Sequence, residues 1–190
     1  MLNPLFAAAV RVQEFCNARA WRTCYIGGIC VQRWAEQRQT KDGDLTLLTG
    51  FDQDEEYVDE LLQHFQPRRE DARAFALRNR VLLIYDVSGI PFDVALAGLP
   101  FEERTVERAT PWKLKSGAHL ITCSAEDLVV HKAFAGRNLD WSDIERILQR
   151  QGQRLNFRLI FEELRPLLEL KEEPENEEKL RQLMKREGLL

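Results

Sequence analysis

The sequence predicts an α/β (α+β) fold in which a mixed β-sheet flanked by helices precedes a helical C-terminal part. Three observations carry that prediction. Short apolar runs, several alternating with a period of two, cluster between about residues 23 and 122. Helical spacing of apolar residues opens the chain. From Ser124 the same helical spacing continues to the end.

Leu5, Phe6, Ala9, Val12, Phe15 and Cys16 fall on one helical stripe, which predicts an amphipathic opening helix. "TCYIGG" then reads as a short buried strand ending in a glycine turn, and a second helix is expected from about Ile29 to Gln37. "DGDLTLL" returns to a strand. Asp52 with Glu55 three residues later predicts a helix start, Val58, Leu61, Leu62 and Phe65 supply its apolar face, and Pro67 stops it. In "FALRNRVLLIYDVSGIPFDVALAGL", Ser88-Gly89 divides two apolar runs into a hairpin. Ser124 is positioned to cap "AEDLVVHKAFAG", Gly136 to end it and Asp140 to cap "WSDIERILQRQ". Two further amphipathic segments follow, joined by the acidic "KEEPENEE", which is expected to bend flexibly. The expected division is a core over residues 1–123 and a helical part over 124–190.

Composition narrows the function classes. The chain's 190 residues suffice for one substantial core, and 44% hydrophobic with 31% charged residues argues against global disorder. A net charge of −4 supplies no strong field for a polyanion or an anionic membrane, so an RNA partner would need a local patch. The opening segment lacks a basic leader, and no apolar run approaches the roughly 20 residues that cross a bilayer. A cytoplasmic protein without a membrane partner is expected. Cys16, Cys24, Cys30 and Cys123 show no CxxC spacing and read as reduced, buried thiols.

The chemistry-bearing candidates are carboxylates. On a strand, Asp42, Asp44 and Thr46 share one face while Gly43, Leu45 and Leu47 share the other. In "IPFDVALA", Asp93 stands on the face opposite Phe92, Val94 and Leu96. If the two strands are neighbours, Asp42, Asp44 and Asp93 converge, and three carboxylates suit magnesium. Gly27-Gly28, turning a strand into a helix, would aim free backbone N–H groups at an anion. Taken alone, such a triplet is most often an exposed strand edge or a turn.

"GGICVQRWAEQRQTKDGDLTLL", "GIPFDVALA" and "SAEDLVVHKAFAGRNLDWSDIERIL" together resemble the nucleotidyltransferase superfamily, specifically the minimal nucleotidyltransferases and the AbiEii-like toxin branch. The first string resembles the family's glycine turn followed by Arg-x-Thr-x-Asp-x-Asp-Leu, here Arg38, Thr40, Asp42, Asp44 and Leu45. The resemblance implies a nucleotidyltransferase-like mixed sheet in which Asp42, Asp44 and Asp93 hold two Mg2+ ions. Asp93 would be the general base or would orient it. The implied reaction moves a nucleoside monophosphate from a nucleoside triphosphate to an acceptor hydroxyl on RNA, protein or a small molecule, and the toxin branch implies an antitoxin protein as partner. Gly27, Gly28, Arg38, Thr40, Lys132, Arg137 and Asp140 would contact the nucleotide. The sequence departs from the family pattern twice: Gly28 replaces a frequent serine, and Gly43 replaces a branched apolar residue, which is expected to remove packing and weaken the strand by up to about 1 kcal/mol. These departures raise an alternative, a catalytically silent nucleotidyltransferase-fold module that binds or regulates.

Overall fold

The computed structural model describes residues 3–36 and 38–190. The chain divides into two compact units: Met1–Ile29 with Gln39–Cys123, and Cys30–Arg38 with Ser124–Leu190.

The first unit begins with helix α1 (Pro4–Asn17), where the Asn3 side chain accepts a hydrogen bond from the Leu5 N–H at 2.9 Å. Strand β1 (Thr23–Ile26) passes through Gly27 directly into helix α2 (Gly27–Trp34). That helix starts two residues before the expected Ile29, and the expected end at Gln37 lies outside the described residues. Strand β2 (Gly43–Leu48) begins one residue after Asp42. Helix α3 (Asp54–His64) starts later than Asp52 suggested, and the buried Asp54 carboxylate in its first turn accepts from Thr49 and Arg80. Pro67 does more than end that helix. With Gln66 it forms β3 (Gln66–Pro67), an edge strand where a missing N–H is tolerated.

Helix α4 (Ala72–Asn79) leads into the hairpin of β4 (Val81–Tyr85) and β5 (Pro91–Ala97). Helix α5 (Pro100–Arg108), β6 (Thr110–Lys113) and β7 (His119–Thr122) complete the unit. The strands form one seven-stranded sheet in the order β3-β4-β5-β2-β1-β7-β6. It is mixed: β1 with β7 and β2 with β5 are parallel pairs, and the remaining pairs are antiparallel. Period-two alternation gives the sheet a sealed face, on which Leu45, Leu47, Leu82, Ile84, Phe92, Val94 and Leu96 are buried. Tyr25, also buried there, donates its hydroxyl to the Ala9 carbonyl at 2.7 Å and so ties α1 to β1. The opposite face of β4, β5 and β2 is only half covered at Leu83, Asp93 and Asp44.

The second unit gathers α6 (Ala125–Ala135), α7 (Asn138–Gln151), α8 (Phe157–Lys171) and α9 (Glu175–Arg186) around Ile144, Ile147, Ile160, Leu164, Leu168, Leu180 and Met184. Ser124 caps α6 by accepting from the Asp127 N–H, and Gly136 ends it at φ +68°. Asp140 does not precede α7 as its N-cap: the helix begins at Asn138, and Asp140 caps it from within the first turn by accepting from the Arg137 backbone N–H at 3.3 Å. The acidic joint is a short turn with Glu172 at φ +59° and Pro174 immediately before α9. The segment that precedes Arg38 is fastened to α7, since Gln151 Nε2 donates to the Trp34 carbonyl at 2.6 Å. No described helix is long and apolar enough to cross a membrane.

Candidate active site

In the first unit the parallel pairing of β2 with β5 sets Asp44 directly opposite Asp93. Paired positions point their side chains to the same face, so two carboxylates meet on the half-covered side of the sheet. Ile26, the last residue of β1, pairs with Asp44 from the other side, which brings the glycine turn alongside. Gly27 is at φ +56°, and a Cβ built on it would stand 1.9 Å from Asp44 Oδ2. Only glycine fits there. The Gly28 N–H, at the start of α2, donates to the same Asp44 oxygen at 3.2 Å.

Gly28 is constrained from another direction. A Cβ there would lie 2.3 Å from Thr40 Oγ1, so the threonine hydroxyl occupies the space a side chain would need. That hydroxyl also contacts Asp42 Oδ1 at 3.2 Å. Gly43 has a different explanation from the one its chemistry suggests. A Cβ on it would meet the Phe92 ring at 2.2 Å, and Phe92 is its partner across the parallel pair. The ring fills the place of the missing side chain, so the strand is packed at this position.

Asp42, Asp44 and Asp93 are not drawn into one cluster. Among the described residues, no three His, Cys, Asp or Glu side chains are gathered so as to hold a metal ion. Asp42 precedes the strand beside Thr40, Asp44 is bonded to the glycine turn, and Asp93 is ion-paired with Arg68. The donor set still fits magnesium, which is commonly held by one or two carboxylates with water and substrate phosphates filling the remaining positions. Asp44 and Asp93 offer two hard oxygen donors on one face. Arg68 enters through the sheet register, which no local sequence pattern shows.

In the second unit the remaining predicted residues form a chain of alternating charge. Arg38 grips Asp143 with two parallel bonds, Nε to Oδ1 and Nη2 to Oδ2, each 2.7 Å. Lys132 Nζ lies 2.7 Å from Asp143 Oδ2 and 3.2 Å from Asp140 Oδ1. Arg137 Nε donates to Asp140 Oδ2 at 2.7 Å. Asp143 is fully buried, Asp140 and Lys132 nearly so, whereas the Arg137 side chain is 77% exposed. Burial would raise the Asp140 carboxyl, but Arg137 and Lys132 outweigh it and hold Asp140 below its ordinary value. Asp143 is likewise held low by Arg38 and Lys132 against its burial. The neighbouring His131 is pushed down to about 4 by burial, with Asp127 opposing and Lys132 adding to the shift. Asp143 is the hub of this chain of charges, although it is not among the residues that the resemblance assigns to the nucleotide. Its spacing of three from Asp140 was the available signal.

No family model and no curated protein matches the sequence. Solved structures do match the fold. An antigenic nucleotidyltransferase-like protein from Paracoccidioides brasiliensis aligns over 93% of this chain and 92% of its own, with a TM-score of 0.51 and 14% identity. The antibiotic-resistance factor ANT(2'')-Ia aligns over 92% of this chain and 95% of its own, at TM-score 0.55 and 11% identity. The fold is nucleotidyltransferase-like. The lincosamide antibiotic adenylyltransferase LnuA, in its lincomycin-bound structure, adds a third example over 74% of this chain and 94% of its own, at TM-score 0.51 and 10% identity. Within a nucleotidyltransferase-like fold, the half-covered face carrying Asp44 and Asp93 beside a glycine turn is the candidate active site.

Proposed function

We propose that the chain is a nucleotidyltransferase, moving a nucleoside monophosphate from a nucleoside triphosphate to an acceptor hydroxyl. The observation that carries the reading is the register of Asp44 with Asp93 beside the Gly27-Gly28 turn. The likeness of fold to LnuA and ANT(2'')-Ia supports it. In the reaction the acceptor oxygen attacks the α-phosphorus, the bond to the β-phosphate oxygen breaks, and pyrophosphate departs. Asp93 takes or orients the hydroxyl proton. Asp44, fixed by the Gly28 N–H, and Asp42, beside Thr40, present oxygens to the phosphate side. Asp42, Asp44 and Asp93 are the residues that would hold magnesium, which would supply charge neutralisation for the phosphoryl oxygens. Gly27, Gly28 and Thr40 line the phosphate approach in the first unit. The nucleotide contacts that the resemblance gives Arg38, Lys132, Arg137 and Asp140 would require them to leave the ion pairs they make with one another and with Asp143 in the second unit.

The toxin branch, with an antitoxin partner, is supported by the resemblance of the Lys132, Arg137 and Asp140 string alone. A silent binding module remains a second reading, favoured by one observation: the three carboxylates are each held by other groups rather than gathered on one point.

The test is transfer from labelled triphosphates, with magnesium, to total RNA, protein extract and hydroxyl-bearing small molecules including antibiotics. Transfer is expected from the native chain and lost in Asp42→Ala and Asp44→Ala. Undiminished transfer by both variants would overturn the mechanism, and triphosphate binding without transfer to any acceptor would favour the silent module.

A further inference from the structure

Arg68 is the residue of the first unit that the transfer reading leaves unused. Pro67 pairs with Ile84, and the Arg68 N–H donates to the Leu83 carbonyl at 3.0 Å, so Arg68 extends β3 by one position. Leu83 is in register with Asp93, and Asp93 with Asp44. One row of paired positions therefore runs across the sheet from Arg68 to Asp44. Side chains along such a row share a face, and an arginine is long enough to pass over the intervening Leu83. Its Nη1 donates to Asp93 Oδ1 in an ion pair. The pair stays accessible, with side-chain exposures of 27% for Arg68 and 40% for Asp93. Solutes can reach it.

Like charges directly opposite each other on neighbouring strands repel, so the Asp44–Asp93 pair calls for a compensating cation. Arg68 supplies one from within the chain. A divalent ion drawn to Asp93 must contend with a guanidinium already on that carboxylate. Resting on the transfer reading, we propose that Arg68 is a positioning residue that holds the Asp93 carboxylate and competes with the divalent cation for it. Bare cation then binds weakly, and the carboxylate is yielded when the cation arrives with a triphosphate, whose own charge adds to the attraction.

The experiment is a titration of the full chain with Mn2+, following free Mn2+ by electron paramagnetic resonance. Arg68→Met keeps much of the stem and removes the charge, and should bind Mn2+ roughly three- to tenfold more tightly than the native chain. Arg68→Gln, a polar neutral variant, should show the same gain, which covers the case in which Arg68→Met fails to fold. Arg68→Lys should return the affinity toward native, and the gain should vanish on an Asp93→Asn background. Unchanged or weaker Mn2+ binding in the neutral variants, with the native chain binding normally, overturns the competition while leaving the transfer reading standing. Absence of Mn2+ binding in native and variant chains that melt cooperatively overturns the competition, and its absence with a triphosphate present as well overturns the transfer reading too.

Discussion

Gly43→Ala tests whether the glycine between the two aspartates is a weak point or a packing requirement. If it merely lacked a side chain, alanine would stabilise the strand by up to about 1 kcal/mol. The structure predicts the opposite sign. The new Cβ would fall 2.2 Å from one carbon of the Phe92 ring, 2.4 Å from the next and 3.0 Å from a third. Phe92 is fully buried, with the Tyr25 ring centroid 6.4 Å away, so its ring has no open side into which to retreat. Overpacking of this kind costs about 1–3 kcal/mol, and the entropy gained by replacing glycine offsets only part of it. In a chain of 190 residues each kcal/mol moves the melting point by roughly 2–4 °C, so a fall of about 2–10 °C is expected. The assay is thermal and urea unfolding of the native chain, Gly43→Ala, Phe92→Leu and the double variant. Phe92→Leu alone should destabilise by opening space, and the double variant should be more stable than the sum of the two singles by about 1 kcal/mol or more. A neutral or stabilising Gly43→Ala, or strict additivity in the cycle, refutes the packing account.

Further outcomes follow from the same geometry. Gly27→Ala places a side chain at φ +56° and against Asp44 Oδ2, so it should displace that carboxylate and lower transfer by about a hundredfold, read as initial rate against nucleotide. Asp143→Ala should destabilise by about 3–5 kcal/mol in urea unfolding, because Lys132 and Arg38 lose the carboxylate that both grip, while Asp143→Asn should cost less. Acid should weaken the second unit in two stages. From pH 6.5 down to about 4 the unfolded chain protonates His131 while the folded chain does not, so stability falls, and His131→Gln should flatten this limb of a stability-against-pH curve. Asp140 and Asp143 contribute stability that is complete above their ordinary value of 3.8 and lost as pH falls through their lower folded values, which should steepen the acid end.

The parts of the fold and site that were legible in the sequence are those governed by local periodicity. Alternation along "DGDLTLL" and "IPFDVALA" was enough to put Asp44 and Asp93 on like faces, and the hairpin through Ser88-Gly89 needed only turn chemistry. Helices α1, α8 and α9 announced themselves by apolar stripes, and α6 by its Ser124 and Gly136 caps. Helix α4 did not, since it buries only Ala72 and Ala76 beneath a surface of charge. Helix α5 hid for the same reason, with only Phe101 and Thr105 buried among acids and arginines.

What stayed illegible depends on register between elements distant in sequence. Arg68 and Asp93 are 25 positions apart, and nothing in either local pattern shows that β3 lies two strands from β5 with Leu83 between them. The same holds for Gly43, whose meaning changes once Phe92 is known to be its partner. Read locally, it is a lost side chain; read in register, it is the space that the Phe92 ring occupies. That reversal bears on function because Phe92 directly precedes Asp93. A ring forced off Gly43 would move the adjacent carboxylate on one strand while the added methyl group moved Asp42 and Asp44 on the other. The glycine that most weakened the case for chemistry thus becomes a reason for the two carboxylate strands to pair in one register, with Asp44 opposite Asp93 and Arg68 at the end of the same row.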